Sequence, residues 1–150
     1  MSKKLIVTAF AAISFSVACN AEETTTITFE KLPSPVRESA LKHLLPSSIK
    51  KVEAIDDDGI TIYEIESEID GVNKDITFAA NGSVMEIEQS MSFAQLPLAA
   101  REKISKRYPK LKITKVESVQ DFYFDVDGED HGKSVELKVS ASGALEEDDD

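Results

Sequence analysis

Hydrophobic and polar positions along this chain follow one plan, and the plan runs twice. Val36, Ala40 and Leu44 recur at i, i+4 and i+8, with Leu41 and Leu45 widening the stripe and Arg37, Glu38 and Lys42 opposite, which predicts an amphipathic helix. Pro33 and Pro35 stand where a first helical turn tolerates them, and Pro46-Ser47-Ser48 ends the run. From Ile49 the period changes to two. Ile49, Val52 and Ile55 predict a strand that closes at Asp56-Asp57-Asp58-Gly59, a hairpin turn by its Asp-Gly chemistry. Ile60 to Ile69 reads as a second strand, with Tyr63, Ile65 and Ile69 opposing Glu64, Glu66 and Glu68. Strict alternation leaves Ile60 and Ile62 on the glutamate side, so a bulge or register change is expected near Tyr63. A third strand follows, in which Ile76 and Phe78 alternate with Asp75 and Thr77. After Asn81-Gly82 a fourth opposes Met85 and Ile87 to Glu86 and Glu88.

The second pass uses other residues for the same positions. Ala100, Ile104 and Tyr108 take the helical stripe and Pro109 ends it. Ile113 to Val119 is the first strand; Phe122, Phe124 and Val126 oppose Tyr123, Asp125 and Asp127 in the second; Val135, Leu137 and Val139 oppose Glu136 and Lys138 in the third. Ser142-Gly143 turns into a short last strand. The self-match is also literal. Phe29-x-x-Leu32-Pro33 with Arg37-Glu38 returns as Phe93-x-x-Leu96-Pro97 with Arg101-Glu102, 64 positions on, and Lys51-Val52-Glu53 returns as Lys115-Val116-Glu117 at the same shift. Gly82 and Gly143 are 61 apart, so the second copy is shorter. Such a match across whole elements marks a tandem duplication. The segments are then 1–21, an export signal; 22–28, a linker or short strand; 29–90 and 91–145, the two repeats; and 146–150, a disordered acidic tail.

The expected fold is therefore α+β, each repeat packing one helix on an antiparallel meander of three to four strands and leaving the other sheet face open. The paired Phe-x-x-Leu-Pro motifs, the Asn-Gly and Ser-Gly turns before the last strands and the leader together resemble the PepSY-like family, whose fold is β-lactamase-inhibitor-like. The resemblance spans Phe29 to Leu145. It implies a periplasmic or surface location and carries no catalytic set to transfer. Inhibitors of related fold grip an enzyme with the concave sheet face, an analogy at the level of fold.

Lys3 and Lys4 precede an uncharged apolar run, Leu5 to Ala18, too short for an ordinary membrane span of about 20 residues. Two processing routes stand open. Cleavage after Ala21 gives a chain starting at Glu22, in the periplasm or secreted. Ser16-Val17-Ala18-Cys19 also resembles a lipoprotein box, with Ser16 in place of the usual Leu, and would make Cys19 a lipid anchor. Cys19 is the only cysteine, so the folded part rests on its core without a disulfide. The formal net charge is −11, which disfavours nucleic acid and anionic membrane and favours cations and basic partners.

Candidate chemistry is sparse. His43 and His131 are the only histidines, and no H-x-x-x-H, C-x-x-C or G-x-S-x-G pattern accompanies them; neither a catalytic set nor a cofactor is expected. The acidic turns suggest weak calcium binding, with Asp125, Asp127 and Glu129 as ligands. An EF-hand loop needs glycine at its sixth position, and counting from Asp125 that position is Asp130. The remaining candidate is the open sheet face: Glu64, Glu66, Glu68, Asp75, Thr77, Glu86 and Glu88 from the first repeat and Tyr123, Asp125, Glu136 and Lys138 from the second. Such a face suits docking of an envelope or secreted protein or peptide, steered by charge. The expectation is an exported, non-enzymatic binding module. The alternative is a cation-binding or cation-buffering envelope protein that uses its acidic turns and tail.

Overall fold

The computed structural model describes residues 23–57 and 59–147; the leader with Cys19, Asp58 and the last three residues lie outside them. Strands β1 (Glu23–Thr26), β2 (Ile49–Asp57), β3 (Ile60–Ile69), β4 (Val72–Ala79), β5 (Val84–Ser90) and β6 (Glu117–Asp121) form one antiparallel sheet in chain order. Strands β7 (Tyr123–Asp130), β8 (Lys133–Ser140) and β9 (Leu145–Glu147) form a second, three-stranded sheet. Helix α1 (Ser34–His43) precedes β2, and helix α2 (Leu98–Arg107) precedes β6. Among the described residues no helix is long and apolar enough to cross a membrane.

The repeated Phe-x-x-Leu-Pro…Arg spacing has a local cause. Each Phe opens a single 3-10 turn, Phe29–Lys31 or Phe93–Gln95, and each Pro stands just before the helix. Arg37 Nη1 donates to the carbonyls of Glu30 at 3.0 Å and Leu32 at 3.2 Å, and Arg101 Nε donates to the carbonyl of Leu96 at 3.1 Å. The arginine thus reaches back over the proline and satisfies carbonyls that no helix or strand would use.

One face of α1 closes the core. Val36 and Ala40 are fully buried, flanked by Leu32 and Leu44, and they meet Val52, Ile65, Ile76 and Phe78 from β2, β3 and β4. Val52, Ile65, Ile76 and Ile87 face one another in a single cross-strand row, so the row under the helix is aliphatic across four strands. Gly82 fixes the height of the helix over the sheet. It has φ +86°, and a Cβ there would lie 2.5 Å from the carbonyl oxygen of Pro35.

The irregularities fall elsewhere than expected. Strand β3 runs regularly through Tyr63, and the register shifts lie between Ile49 and Lys51 in β2 and opposite Thr77/Phe78 in β5. The first shift lets Ile49 and Val52, three apart, both face the core. The second inserts Met85 between Val84 and Glu86, so Val84 and Ile87 pack toward the core while Met85 joins the glutamate side, against its expected place beside Ile87.

The second unit departs furthest from the plan. Its first strand begins at Glu117 rather than Ile113 and joins the first sheet beside β5; β7 follows after a break of one residue, Phe122, where the pairing partner changes from β5 to β8. Turn chemistry explains this. In the first unit Gly59 takes φ +83° and its N–H donates to Asp56 Oδ1 at 2.9 Å, closing the β2–β3 hairpin. The positions 64 further on are Gln120 and Tyr123, which offer neither the short aspartate acceptor nor an easy positive φ, so the chain runs on. The two halves of a strand then serve two sheets. Helix α2 buries no residue, and Phe124, Val126, Tyr108 and Leu98 remain exposed. The short β9 also takes in residues 146 and 147 of the expected tail.

This asymmetry predicts unequal costs of truncation. Phe78→Ala should lose about 3–5 kcal/mol of unfolding free energy, as for a buried phenylalanine. Phe124→Ala, at 62% exposure, should lose about 0.5 kcal/mol or less. Urea unfolding of the two variants measures the difference, and equal losses would refute the asymmetry.

Candidate functional site

The helix covers one face of the first sheet and leaves the other to solvent. On that open face the register aligns Thr26, Glu53, Glu64, Thr77, Glu86 and Asp121 in one row across six strands. The next row is Lys51, Glu66, Asp75, Glu88 and Val119. Five carboxylates of the two rows thus come from β3, β4 and β5, at the strand spacing of about 4.8 Å. Two lysines pair closely with acids of these rows or beside them. Lys51 pairs with Glu53 at 2.9 Å and Glu66 at 3.4 Å, and Lys115 pairs with Glu117 at 2.6 Å. These are the two Lys-Val-Glu copies, and each sets a lysine and a glutamate two apart on one face of the chain.

Charge repulsion and partial burial act together on the unpaired acids. Burial raises the Glu64 carboxyl above the usual range, and Asp75, Glu66 and Glu53 add to it. Burial also raises Asp75, reinforced by Glu66, Glu117 and Glu88 and opposed by Lys115. Glu86 is affected most: burial, a hydrogen bond to Asp121 and the charges of Glu88, Asp121 and Glu64 push it up to about 7. A carboxyl of that kind keeps its proton because ionising would add another negative charge to a crowded, partly dry surface.

Three acids of this face also converge. One carboxylate oxygen each from Asp75, Glu88 and Glu117 lies within 4.8 Å of the others, the one such group of at least three metal-binding side chains among the described residues. Three hard oxygens on three strands form the kind of set that takes a divalent cation.

The expected site residues distribute as follows. Glu64, Glu66, Glu68, Thr77, Glu86 and Glu88 share the open face of the first sheet, and Lys50 reaches Glu68 at 4.0 Å. Tyr123, Asp125, Glu136 and Lys138 stand on the second sheet, where Asp125 faces Lys138 and Tyr123 faces Ser140. Thr77, Glu86, Tyr123 and Lys138 meet where the sheets adjoin, in a cleft of about 480 Å³. Asp125 and Glu136 line a separate, smaller hollow of about 370 Å³ with Asp127. Asp125, Asp127 and Glu129 run along β7 as exposed strand residues rather than around a turn, and they do not converge on one point. His131 sits in the β7–β8 turn with φ 51° and its Nδ1 2.8 Å from Asp130, and His43 ends α1. Glu53, Glu117 and Asp121 were missed. The repeated Lys-Val-Glu was a signal for the first two; nothing local marked Asp121, which reaches the face only through the β5–β6 register.

Comparison with known proteins bears on this fold. The family model described as "Putative beta-lactamase-inhibitor-like, PepSY-like" matches the chain twice, over residues 5–72 and 69–147. The chain belongs to the PepSY-like family. Its two matches meet at the β3–β4 turn. A search of curated proteins returned no match. Solved structures similar to this family member include a BLIP-like protein from Bacteroides fragilis, at 22% identity and TM-score 0.44, covering 75% of this chain and 82% of that one. Another is described as a "putative calcium-regulated periplasmic protein" from Bacteroides thetaiotaomicron, at 20% identity and TM-score 0.38, covering 84% and 97%. A third, a periplasmic protein by its description, comes from Bacteroides vulgatus at 18% identity and TM-score 0.41, covering 86% and 99%. Membership rests on the family match.

The raised carboxyls set a pH dependence. An acid whose pKa is raised by folding stabilises the fold while it holds its proton; that contribution is complete below the ordinary value near 4.5 and is lost as pH rises through about 7 for Glu86. The melting temperature should therefore fall between pH 4.5 and pH 7.5, with Glu64 and Asp75 adding in the same direction. Glu86→Gln should raise the melting temperature at pH 8 and shrink the fall. An unchanged pH profile in that variant would refute the assignment.

Proposed function

We propose that this PepSY-like chain is an exported, non-catalytic binding protein whose open sheet face receives a basic segment of another protein or a peptide. The observation that carries the reading is the cross-strand acidic row of Glu53, Glu64, Glu86 and Asp121, whose central carboxyls are held above their ordinary pKa. A cationic partner relieves that repulsion, and each carboxyl it relieves adds to the affinity. Export rests on the charged and apolar leader, residues 1–21; anchoring through Cys19 is the alternative processing route. The units 29–90 and 91–145 are the duplicated parts, the first supplying most of the acidic face and the second its flank. Enzyme inhibition is one form such binding takes, and the family description points in that direction.

The test is direct. A fluorescent decapeptide rich in lysine and arginine should bind with an affinity that falls steeply between 50 and 300 mM salt, since salt screens the long-range attraction between the peptide and the acidic face. The triple variant Glu64→Lys, Glu66→Lys, Glu68→Lys should abolish binding while leaving the circular dichroism spectrum unchanged. Equal binding by the native and triple-variant proteins would end this reading.

A second reading draws on the convergence of Asp75, Glu88 and Glu117. These three would hold a calcium ion on the sheet face rather than in the acidic turns, and Lys115 would have to release Glu117. Millimolar calcium should then raise the melting temperature by a few degrees, through preferential binding to the folded state. Glu88→Gln should remove the rise. No shift in the native protein would retire the cation reading.

A further inference from the structure

The cleft between the two sheets has a lining unlike the rest of the acidic face. Ile62, which strict alternation places among the glutamates, and Met85, turned outward by the β5 bulge, give it an apolar floor. Glu86 and Asp121 stand opposite each other on β5 and β6 and are hydrogen-bonded, giving it a carboxyl pair at one end. Phe122 and Tyr123, at the point where the chain leaves one sheet for the other, also line it. At about 480 Å³ the space falls within the range of small-ligand sites, roughly 300–1,000 Å³.

We propose that this cleft anchors an arginine side chain of a bound peptide, the guanidinium on the Glu86–Asp121 pair and the aliphatic stem along Ile62 and Met85. The proposal rests on the reading that the open face receives a basic partner and names the residue type it grips. Three features select arginine. Two carboxyls on adjacent strands present several acceptor oxygens, which a planar guanidinium can meet with paired, parallel N–H donors, a fork geometry that an ammonium lacks. Ile62 and Met85 give the aliphatic stem an apolar surface to lie along. Phe122 offers a ring against which a weakly hydrated guanidinium stacks more readily than an ammonium. Lys138 is the one cation among the lining residues and lies 5.6 Å from the Tyr123 ring centre.

The probes are N-acetyl-arginine N-methylamide, its uncharged citrulline counterpart and its lysine counterpart, titrated into methyl-labelled protein and followed by NMR. The arginine probe should shift the Ile62 and Met85 methyls saturably at pH 8. The citrulline probe should leave both methyls in place, and Glu86→Gln should weaken the arginine probe. An equal response to citrulline or to the lysine probe would overturn the assignment, as would undiminished binding of the arginine probe by Glu86→Gln. If the arginine probe leaves the cleft unmoved while the basic decapeptide still binds through Glu64 and Glu66, the cleft proposal fails and the open-face reading stands. If neither binds, both fail.

Discussion

The packing of α1 on β2–β5 is the contact on which the rest depends. Val36 and Ala40 seat on Ile65, Ile76 and Phe78, and the absence of a side chain at Gly82 lets the helix start approach the sheet at Pro35. With no disulfide in the folded part, this apolar contact must offset the ordering of the chain by itself. It also determines which sheet face is open. Because side chains alternate, every residue between the core positions of β3, β4 and β5 is sent to the far face, and those residues are mostly acidic.

The acidic face is thus a by-product of the fold's own alternation, sharpened by the cross-strand register. Glutamates spaced by two along one strand are ordinary on a solvated surface. Glu66, Asp75 and Glu88 opposite one another, with Glu64 and Glu86 on either side of Thr77 in the adjoining row, is a different arrangement, because in the first of these rows neighbouring strands bring like charges closer than one strand does. Partial burial raises Glu64, Asp75 and Glu86 together, mutual repulsion adds to it, and the repulsion makes the surface responsive to any cation that docks there.

The duplicated halves diverge through a few residues. The loss of the Asp-Gly turn at Gln120 to Tyr123 converts what is a hairpin in the first unit into a strand that serves two sheets. The consequence reaches the candidate site directly. Because β6 stays with β5, Asp121 is delivered opposite Glu86, and because β7 departs at Phe122, the two aromatic residues there wall a cleft instead of joining a flat sheet. One changed turn thereby makes both the acid pair and the wall beside it.

Much of this was legible in the sequence. The 3.6-residue period of Val36, Ala40 and Leu44 and the two-residue period of Ile60 to Ile69 determine element type, because a helix and a strand present side chains at those periods and no others. The shift of 64 determines that the elements recur, and the bounds of α1, β3 and β5 follow the pattern closely. Register did not follow from pattern. A bulge of one residue moves Met85 to the opposite face without altering composition, and the spacing of Ile49 and Val52 reveals its own bulge only once the partner strand is known. The meeting of Asp75 with Glu88 and Glu117, of Glu86 with Asp121, and of Ile62 with Phe122 depends on which strands pair and where the chain leaves the sheet. Sequence alone determined the elements and the sign of the surface charge, since both follow from local spacing and residue type. Tertiary structure decided which charges stand together, because that depends on long-range pairing between residues up to several dozen positions apart.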